Sequence, residues 1–221
     1  MKKITIRAVS VLVALAVISP VFAASKKKGK VPTAEETVSR FVTSRYFTDE
    51  AVPEADIDKI LTAGVNAESA SNKQPWHFTA ITSKTVLKEI LDTVNARRER
   101  NGQKLLAEPV KGKAVETNIA HVPLFIVVSC DKGAELNAGL ATQSMAIMAQ
   151  LLGYGTKIES SPATAINENA ELSAKLGIPE GKVAVSVIKI GKVDTKITPE
   201  MDGYSGATVR NPFDQMTTKV K

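Results

Sequence analysis

The chain contains few of the side chains that most enzymes use for proton transfer, metal binding or nucleophilic attack. Its 221 residues include one cysteine and two histidines. The sequence also has no glycine-rich phosphate loop, no G-x-S-x-G elbow and no paired histidine or cysteine spacing. An enzyme with this composition must take its chemistry from a bound group, and a redox cofactor is the simplest source.

The single cysteine, Cys130, excludes an intrachain disulfide, so stability must come from packing, with or without oligomerisation. Cys130 ends the apolar run Pro123–Cys130, which predicts a buried core residue rather than a reactive thiol. His77 and His121 are expected to face solvent or make local hydrogen bonds rather than to act in catalysis.

The N-terminus has the layout of a secretory signal peptide. Basic residues precede an apolar run from Ala8 to Ile18, and Val21 and Ala23 suit a signal-peptidase site. A retained membrane anchor is the alternative, but it needs about 20 apolar residues. We therefore predict a signal peptide over residues 1–23, export to the periplasm or the medium, and no stable membrane insertion.

Residues 24–32 are predicted to form a basic linker, and residues 33–221 are long enough for one domain. The lysines of the linker favour a solvated tail over a patch that binds nucleic acid or an anionic surface. No nucleic-acid partner is expected.

Helical and strand patterns alternate along the domain, which predicts a sheet covered by helices. Glycines and a polar stretch over Asn95–Lys113 separate the elements, and no periodicity extends beyond Thr195. The predicted helices begin at Thr33, Pro53 and Ser83 and include Ala134–Leu152 and Ala170–Leu176, and the predicted strands are Trp76–Ile81, Pro123–Cys130 and Val183–Ile190.

The predicted helix Ala134–Leu152 is apolar on more than one face. Such a helix belongs either at the centre of a domain or at a subunit interface. The sequence pattern leaves these two alternatives open.

Four segments carry a resemblance to a known family. These are NAESASNKQPWHF at Asn66–Phe78, FVTSRYF at Phe41–Phe47, AGLATQSMAIMAQLLGYGT before residue 157, and LGIPEG followed by VIKIG. In order and spacing they resemble the FMN-dependent nitroreductase family over nearly all of residues 36–213.

The resemblance implies an α+β fold with a mixed, mainly antiparallel central sheet flanked by helices. It also implies a homodimer with FMN at each subunit interface. The implied function is a flavin oxidoreductase in which NAD(P)H or another donor passes a hydride to flavin N5. A nitroaromatic, quinone or related acceptor then takes the electrons in a ping-pong reaction, and no side chain is expected to act as a catalytic acid or base.

The resemblance assigns cofactor contacts to three parts of the chain and to one arginine near the C-terminus. Thr43, Ser44 and Arg45 are expected near the phosphate or the flavin N1 edge, and Ser69, Asn72 and Gln74 near the ring from the partner subunit. The turn at Ser160 and Ser161 is expected near flavin N5, and Arg210 near the phosphate.

This sequence departs from the family pattern at three positions. Phe41 stands where the family has an arginine, with Arg40 one residue earlier; Glu68 replaces a proline; and Glu159–Pro162 replaces a glycine-containing turn. These departures keep two further hypotheses open: an exported flavin-binding or envelope-interaction protein without turnover, and a basic adhesion module without a cofactor.

Overall fold

A computed structural model of the chain describes residues 33–39, 42–107, 116–196 and 211–220. The predicted signal peptide and linker, together with Arg40, Phe41 and Arg210, lie outside the described residues. Within the described ranges, every helix is too short or too polar to cross a membrane.

Four strands in the described residues form one sheet: β1 (Trp76–Ile81), β2 (Leu124–Asp131), β3 (Gly155–Glu159) and β4 (Lys182–Gly191). Their order is β1–β2–β4–β3, and each neighbouring pair is antiparallel. An isolated parallel bridge between Thr43 and Thr156 makes the sheet mixed. This architecture confirms the predicted α+β fold with a mainly antiparallel sheet.

The described ranges contain seven α-helices: α1 (Ala34–Ser39), α2 (Glu54–Val65), α3 (Lys84–Arg100), α4 (Glu135–Leu151), α5 (Ser161–Asn167), α6 (Ala170–Lys175) and α7 (Phe213–Met216). The predicted start at Thr33 is confirmed by a reciprocal cap. The Glu36 amide donates to Thr33 Oγ1 at 3.1 Å, and the Thr33 amide donates to the Glu36 carboxylate at 2.8 Å.

The sheet separates two hydrophobic layers. On one face, α3, α5 and α6 pack against side chains such as Phe125 and Val187. On the other face, α2 and α4 pack against side chains such as Ile126 and Ile188. Because β2 is covered on both sides, its continuous apolar run is buried as far as Cys130, as predicted.

The pairing of β2 with β4 contains a bulge. Val128 pairs with Ser186, but Ser129 pairs with Ala184, so Val185 is an extra residue on β4. The extra residue shifts the alternation of side chains between the two halves of β4.

The long helix ends before Gly153, as predicted, but the strand that follows it was not predicted. The sequence pattern treated Gly153–Gly155 as a helix end and Glu159–Pro162 as a turn, whereas residues 155–159 form β3 and α5 follows almost at once. Lys157 and Glu159 lie on the side of β3 that faces the first hydrophobic layer, and Ile158 is 36% exposed. Charged residues therefore occupy inward positions and hide the strand pattern.

The long helix α4 is only partly covered within one protomer. Met145 is fully buried, whereas Leu136 is 78% exposed and Leu140 is 43% exposed. The sequence pattern allowed this helix to lie at the domain centre or at a subunit interface. Burial at the domain centre accounts for Met145 but not for Leu136 and Leu140.

Candidate cofactor-binding site

The segment that carries Thr43, Ser44 and Arg45 crosses one end of the sheet. The Ser44 amide donates to the Thr156 carbonyl at 2.8 Å. The side-chain amide of Gln150, near the end of α4, donates to the Val42 carbonyl and to Thr156 Oγ1, each at 2.8 Å. These bonds fix the start of the segment and leave the Thr43 side chain exposed.

Thr117 fixes the remainder of the segment from the other face of the sheet. Its amide donates to the Arg45 carbonyl at 3.0 Å, and its hydroxyl accepts from the Phe47 amide at 2.9 Å. Phe47 is 8% exposed and belongs to the core. The half-buried Arg45 therefore sits on a backbone that is anchored on both sides.

Gly155 permits the close approach of this segment to β3. A Cβ atom at this position would lie 2.5 Å from Ser44 Oγ and 2.6 Å from a methyl carbon of Val193. Both distances are far shorter than a van der Waals contact, so any other residue would push Ser44 away from the strand.

Ser69, Asn72 and Gln74 lie together in a tight turn before β1. The Gln74 amide donates to Ser69 Oγ at 3.0 Å, and the Gln74 side chain donates to Asn72 Oδ1 at 3.2 Å. The Ala70 amide donates to Oδ1 of Asn137, at the start of α4, at 2.9 Å. The turn is closed upon itself and tied to one end of α4.

The backbone of this turn is strained. Ser71, Asn72 and Gln74 have φ angles of +52°, +53° and +47°, in the left-handed region that disfavours residues with a Cβ. Each such residue costs about 1–2 kcal/mol. The strain is balanced by the bonds above and by the Pro75 carbonyl, which accepts from Lys182 Nζ at 2.7 Å. The exposed side chains of Asn72 and Gln74 are thereby held in fixed directions.

Ser160 and Ser161 are exposed at the end of β3, where α5 begins. Ser160 occupies the N-cap position, but its side chain makes no capping hydrogen bond. These two serines are four to five residues beyond Thr156, roughly 13–17 Å along an extended strand. They form a third group, separate from the other two.

The first two groups lie at opposite ends of α4. Asn137 bonds to the turn, and Gln150 bonds to the Thr43 segment, and at 1.5 Å per residue these positions are roughly 20 Å apart along the helix. One protomer therefore brings Thr43, Ser44 and Arg45 together, and separately Ser69, Asn72 and Gln74, but does not join the two groups.

A cluster of charged side chains lies beside the Arg45 segment, and the sequence pattern did not reveal it. Lys189 is 2% exposed; its ammonium lies 2.9 Å from Glu159 Oε2 and 3.4 Å from both Glu116 Oε1 and the Thr117 carbonyl. Lys157 lies 3.1 Å from Glu159 Oε1 and also contacts Glu116. Glu159 Oε2 makes an ion-pair contact without a well-aligned hydrogen bond.

The electrostatics of the cluster keep Glu159 ionised. Burial raises the pKa of its carboxyl group, but Lys189 and Lys157 oppose that effect and hold the pKa below its usual value. The only sequence signals for this cluster were a lysine inside an apolar strand and two charges that alternate with Ile158.

Other chemistry is limited in the part of the chain that the structure describes. No group of three or more histidine, cysteine, aspartate or glutamate side chains there is placed to hold a metal ion. A shallow depression between α3 and α5 is lined by Asp92, Arg100 and Glu168, and none of the predicted cofactor contacts lines it.

Comparison with known proteins gives consistent results. The model of the nitroreductase family matches residues 40–192. A predicted NADH dehydrogenase/NAD(P)H nitroreductase of Archaeoglobus fulgidus is 30% identical over 151 residues, which are 66% of this chain and 78% of that protein.

Two solved structures share the fold. A nitroreductase with bound FMN from Bacteroides fragilis is 20% identical with a TM-score of 0.66, over 86% of this chain and 100% of that chain. An NADPH:FMN oxidoreductase from Vibrio harveyi, in complex with NAD+, is 15% identical with a TM-score of 0.61, over 85% of this chain and 77% of that chain.

Proposed function

The chain belongs to the nitroreductase family, and from that premise we propose that it is an FMN-dependent oxidoreductase that works as a homodimer. The matched region, residues 40–192, includes all three groups of predicted cofactor contacts that the structure describes. The Bacteroides fragilis and Vibrio harveyi proteins, whose names include FMN, share the fold.

The chemistry of the residues present suits FMN. The Thr43 hydroxyl and the Arg45 guanidinium are donors of the kind that bind a phosphate. Asn72 and Gln74 present exposed amide groups, which both donate and accept hydrogen bonds, as the carbonyl and N–H groups of a flavin ring require. Strain in the turn is a cost that a binding role explains.

The observation that carries the homodimer proposal is the placement of the two groups at opposite ends of α4. If two protomers pack their α4 helices antiparallel about a two-fold axis, the Asn137 end of one lies beside the Gln150 end of the other. Ser69, Asn72 and Gln74 of the partner subunit would then approach the Thr43 segment. The exposed Leu136 and Leu140 supply an apolar surface for that contact.

The residues of this chain bind and orient the cofactor rather than transfer protons. FMN, when bound, supplies a group that accepts a hydride from a nicotinamide and passes electrons to a second substrate. The Thr43 hydroxyl would donate a hydrogen bond to a phosphate oxygen, and Arg45 would place a fixed positive charge where negative charge develops. Asn72 and Gln74 of the partner subunit would orient the ring, and Ser160 and Ser161 would lie near flavin N5.

We further propose nitroaromatics, quinones or related compounds as acceptors, and export of the protein to the periplasm or the medium. NAD(P)H is scarce outside the cytoplasm, so another donor is the alternative there. The N-terminal residue of the protein recovered from a secreting host tests export. Ala24 as the first residue supports it, and Met1 in a protein retained by the cells contradicts it.

The test of cofactor binding is the visible spectrum of the purified protein during titration with FMN. We expect saturable uptake of one FMN per subunit and bleaching by NADH or NADPH. Arg45→Ala should weaken FMN binding by about tenfold or more, the effect of losing a charge-assisted contact. Arg98→Ala is a matched control, because Arg98 donates to the Lys104 carbonyl away from the site.

Absence of uptake by the wild-type protein would contradict the proposed function. Saturable FMN binding without electron transfer from NADH, NADPH or another biological donor to any acceptor would favour a flavin-binding protein without turnover.

A further inference from the structure

Lys189 is a buried cation in the middle of the sheet. It is 2% exposed and stands on β4 between Ile188 and Ile190, which face the opposite layer. Lysine is rarely buried to this extent unless it is paired. The ammonium is too deeply covered to touch a ligand, so its role must pass through the residues that it contacts.

The contacts of Lys189 lead to two of the three groups of predicted cofactor contacts. Its ammonium lies 2.9 Å from Glu159, the residue directly before Ser160 and Ser161. It also lies 3.4 Å from the Thr117 carbonyl, and the Thr117 amide donates to the Arg45 carbonyl. One side chain therefore connects the end of β3 with the segment that carries Arg45.

Stability alone does not account for such a cluster. Charges lose hydration when they are buried, and well-packed apolar side chains in their place are often neutral or stabilising. The cluster contains two lysines, Lys157 and Lys189, and two glutamates, Glu116 and Glu159, so the charges balance but the desolvation cost remains. What the ion pairs add over an apolar core is a fixed relative position of the strands and loops that they join.

We propose that Lys189 is a positioning residue for FMN binding: through Glu159 it fixes the turn that carries Ser160 and Ser161, and through Thr117 it fixes Arg45. This inference rests on the proposed function. It assigns a role to a residue that does not itself contact the cofactor.

The test compares FMN affinity, measured by quenching of free flavin fluorescence, with thermal unfolding of the cofactor-free protein. Lys189→Met keeps the length of the side chain and removes the charge. We expect the dissociation constant for FMN to rise by about tenfold or more, with a changed visible spectrum of bound FMN. The melting temperature should fall as well, because Glu159 loses its buried partner, so the affinity and the spectrum of the folded protein decide the test. A merely structural role would lower the melting temperature and leave the affinity of the folded fraction unchanged.

A double-mutant cycle shows whether Lys189 acts through Glu159. Glu159→Gln alone should also weaken FMN binding, and combining it with Lys189→Met should add little, because both changes break the same contact. If Lys189→Met does not fold, Glu159→Gln provides the test alone. Wild-type affinity in Glu159→Gln would then overturn the inference.

Lys84→Met is the matched control. Lys84 is an exposed lysine that, like Lys189, contacts a backbone carbonyl: it donates to that of Val122 at 2.9 Å. It should bind FMN as the wild type does. If the wild-type protein takes up no FMN, the proposed function fails; if the wild type binds FMN and Lys189→Met binds it equally well with the same spectrum, only the inference fails.

Discussion

The two ends of α4 hold the two segments that are predicted to contact the cofactor by different physical means. At the Asn137 end, the turn over residues 69–74 holds exposed amide side chains on a strained backbone. At the Gln150 end, the segment over residues 42–47 has no residue with positive φ and lies beside a cluster of buried charges. One end depends on conformational energy, and the other depends on electrostatics. A change of sequence or of pH should therefore affect the two ends differently.

The largest expected effect tests whether the two ends are halves of one site. Replacing both Leu136 and Leu140 with aspartate puts charges on the exposed face of α4, and burying them in a dimer would be unfavourable. We expect the dissociation constant of the dimer to rise by about 100-fold or more, with loss of FMN binding. Light scattering with size-exclusion chromatography measures the mass in solution, and an FMN titration measures binding.

Leu105→Asp is the control for this pair, because Leu105 is also exposed, at 48%, and lies after α3. It should leave the mass and the affinity unchanged. A double variant that is monomeric but binds FMN as tightly as wild type would show that one protomer holds a complete site. The comparison of two half-sites would then be wrong.

The next prediction concerns the segment over residues 42–47, at the Gln150 end of α4. Gly155→Ala places a Cβ atom 2.5 Å from Ser44 Oγ and should destabilise the fold by about 1–3 kcal/mol, because the segment must move. Thermal unfolding measures the loss, which corresponds to about 2–12 °C for a chain of this size. Adding Ser44→Gly removes two of the three close contacts and should restore part of the stability. If Ser44→Gly restores no stability to Gly155→Ala, the loss of stability does not come from the close contact with Ser44.

A smaller effect is the dependence of stability on pH, which should arise from the charged cluster beside the Gln150 end of α4 and not from the turn over residues 69–74. The pKa of Glu159 is lowered in the folded protein, because its two lysine partners outweigh burial. The stabilisation is therefore present above the pKa of the unfolded chain, about 4.3, and is lost as the pH falls through the folded value. The difference in melting temperature between wild type and Glu159→Gln should be largest near pH 7 and shrink toward pH 3.

The same substitution at the exposed Glu180 controls for the general effect of removing a carboxylate. A gap between wild type and Glu159→Gln that stays constant from pH 7 to pH 3 would mean that the ion pairs do not stabilise the folded state.

The smallest effect concerns the strained turn. Ser71→Gly removes the cost of a left-handed residue and should stabilise the cofactor-free protein by about 1 kcal/mol or less, since glycine also gains freedom in the unfolded chain. Chemical denaturation measures the change. Ser83→Gly is the control: Ser83 has φ of −67° and makes no capping bond, so glycine there should be neutral or destabilising. Equal effects at both positions would argue against strain in the turn.

The sequence predicted those parts of the fold in which side-chain polarity follows burial. The predicted helix that begins at Ser83 is present and buries an apolar face with Leu87, Ile90, Leu91 and Val94, and the run that ends at Cys130 is buried as expected. The strand β3 escaped prediction because Lys157 and Glu159 point inward and compensate each other there. A pattern of apolar and polar residues cannot reveal a strand whose inner side chains are charged pairs.

The residues of each predicted contact group lie close together in the structure, since each group is short and continuous in sequence. Their separation along α4 could not be read from the sequence, because it depends on Asn137 and Gln150, two amides without a distinctive motif. Likewise, the strain at Ser71 arises from bonds that close the turn rather than from glycine, the residue that usually signals such a conformation.

The bulge at Val185 has a consequence for how β4 can change during evolution. Because Val185 has no partner on β2, Lys182 and Lys189 point to the same side of the sheet although an odd number of positions separates them. Deleting Val185 would remove the bulge and leave the two lysines six positions apart, still on one side of the sheet. A deletion or insertion elsewhere between them that kept the bulge would turn one lysine into the layer occupied by α4. The strand can therefore lose its bulge residue without moving either lysine, whereas insertions or deletions at its other positions should be rarer than substitutions.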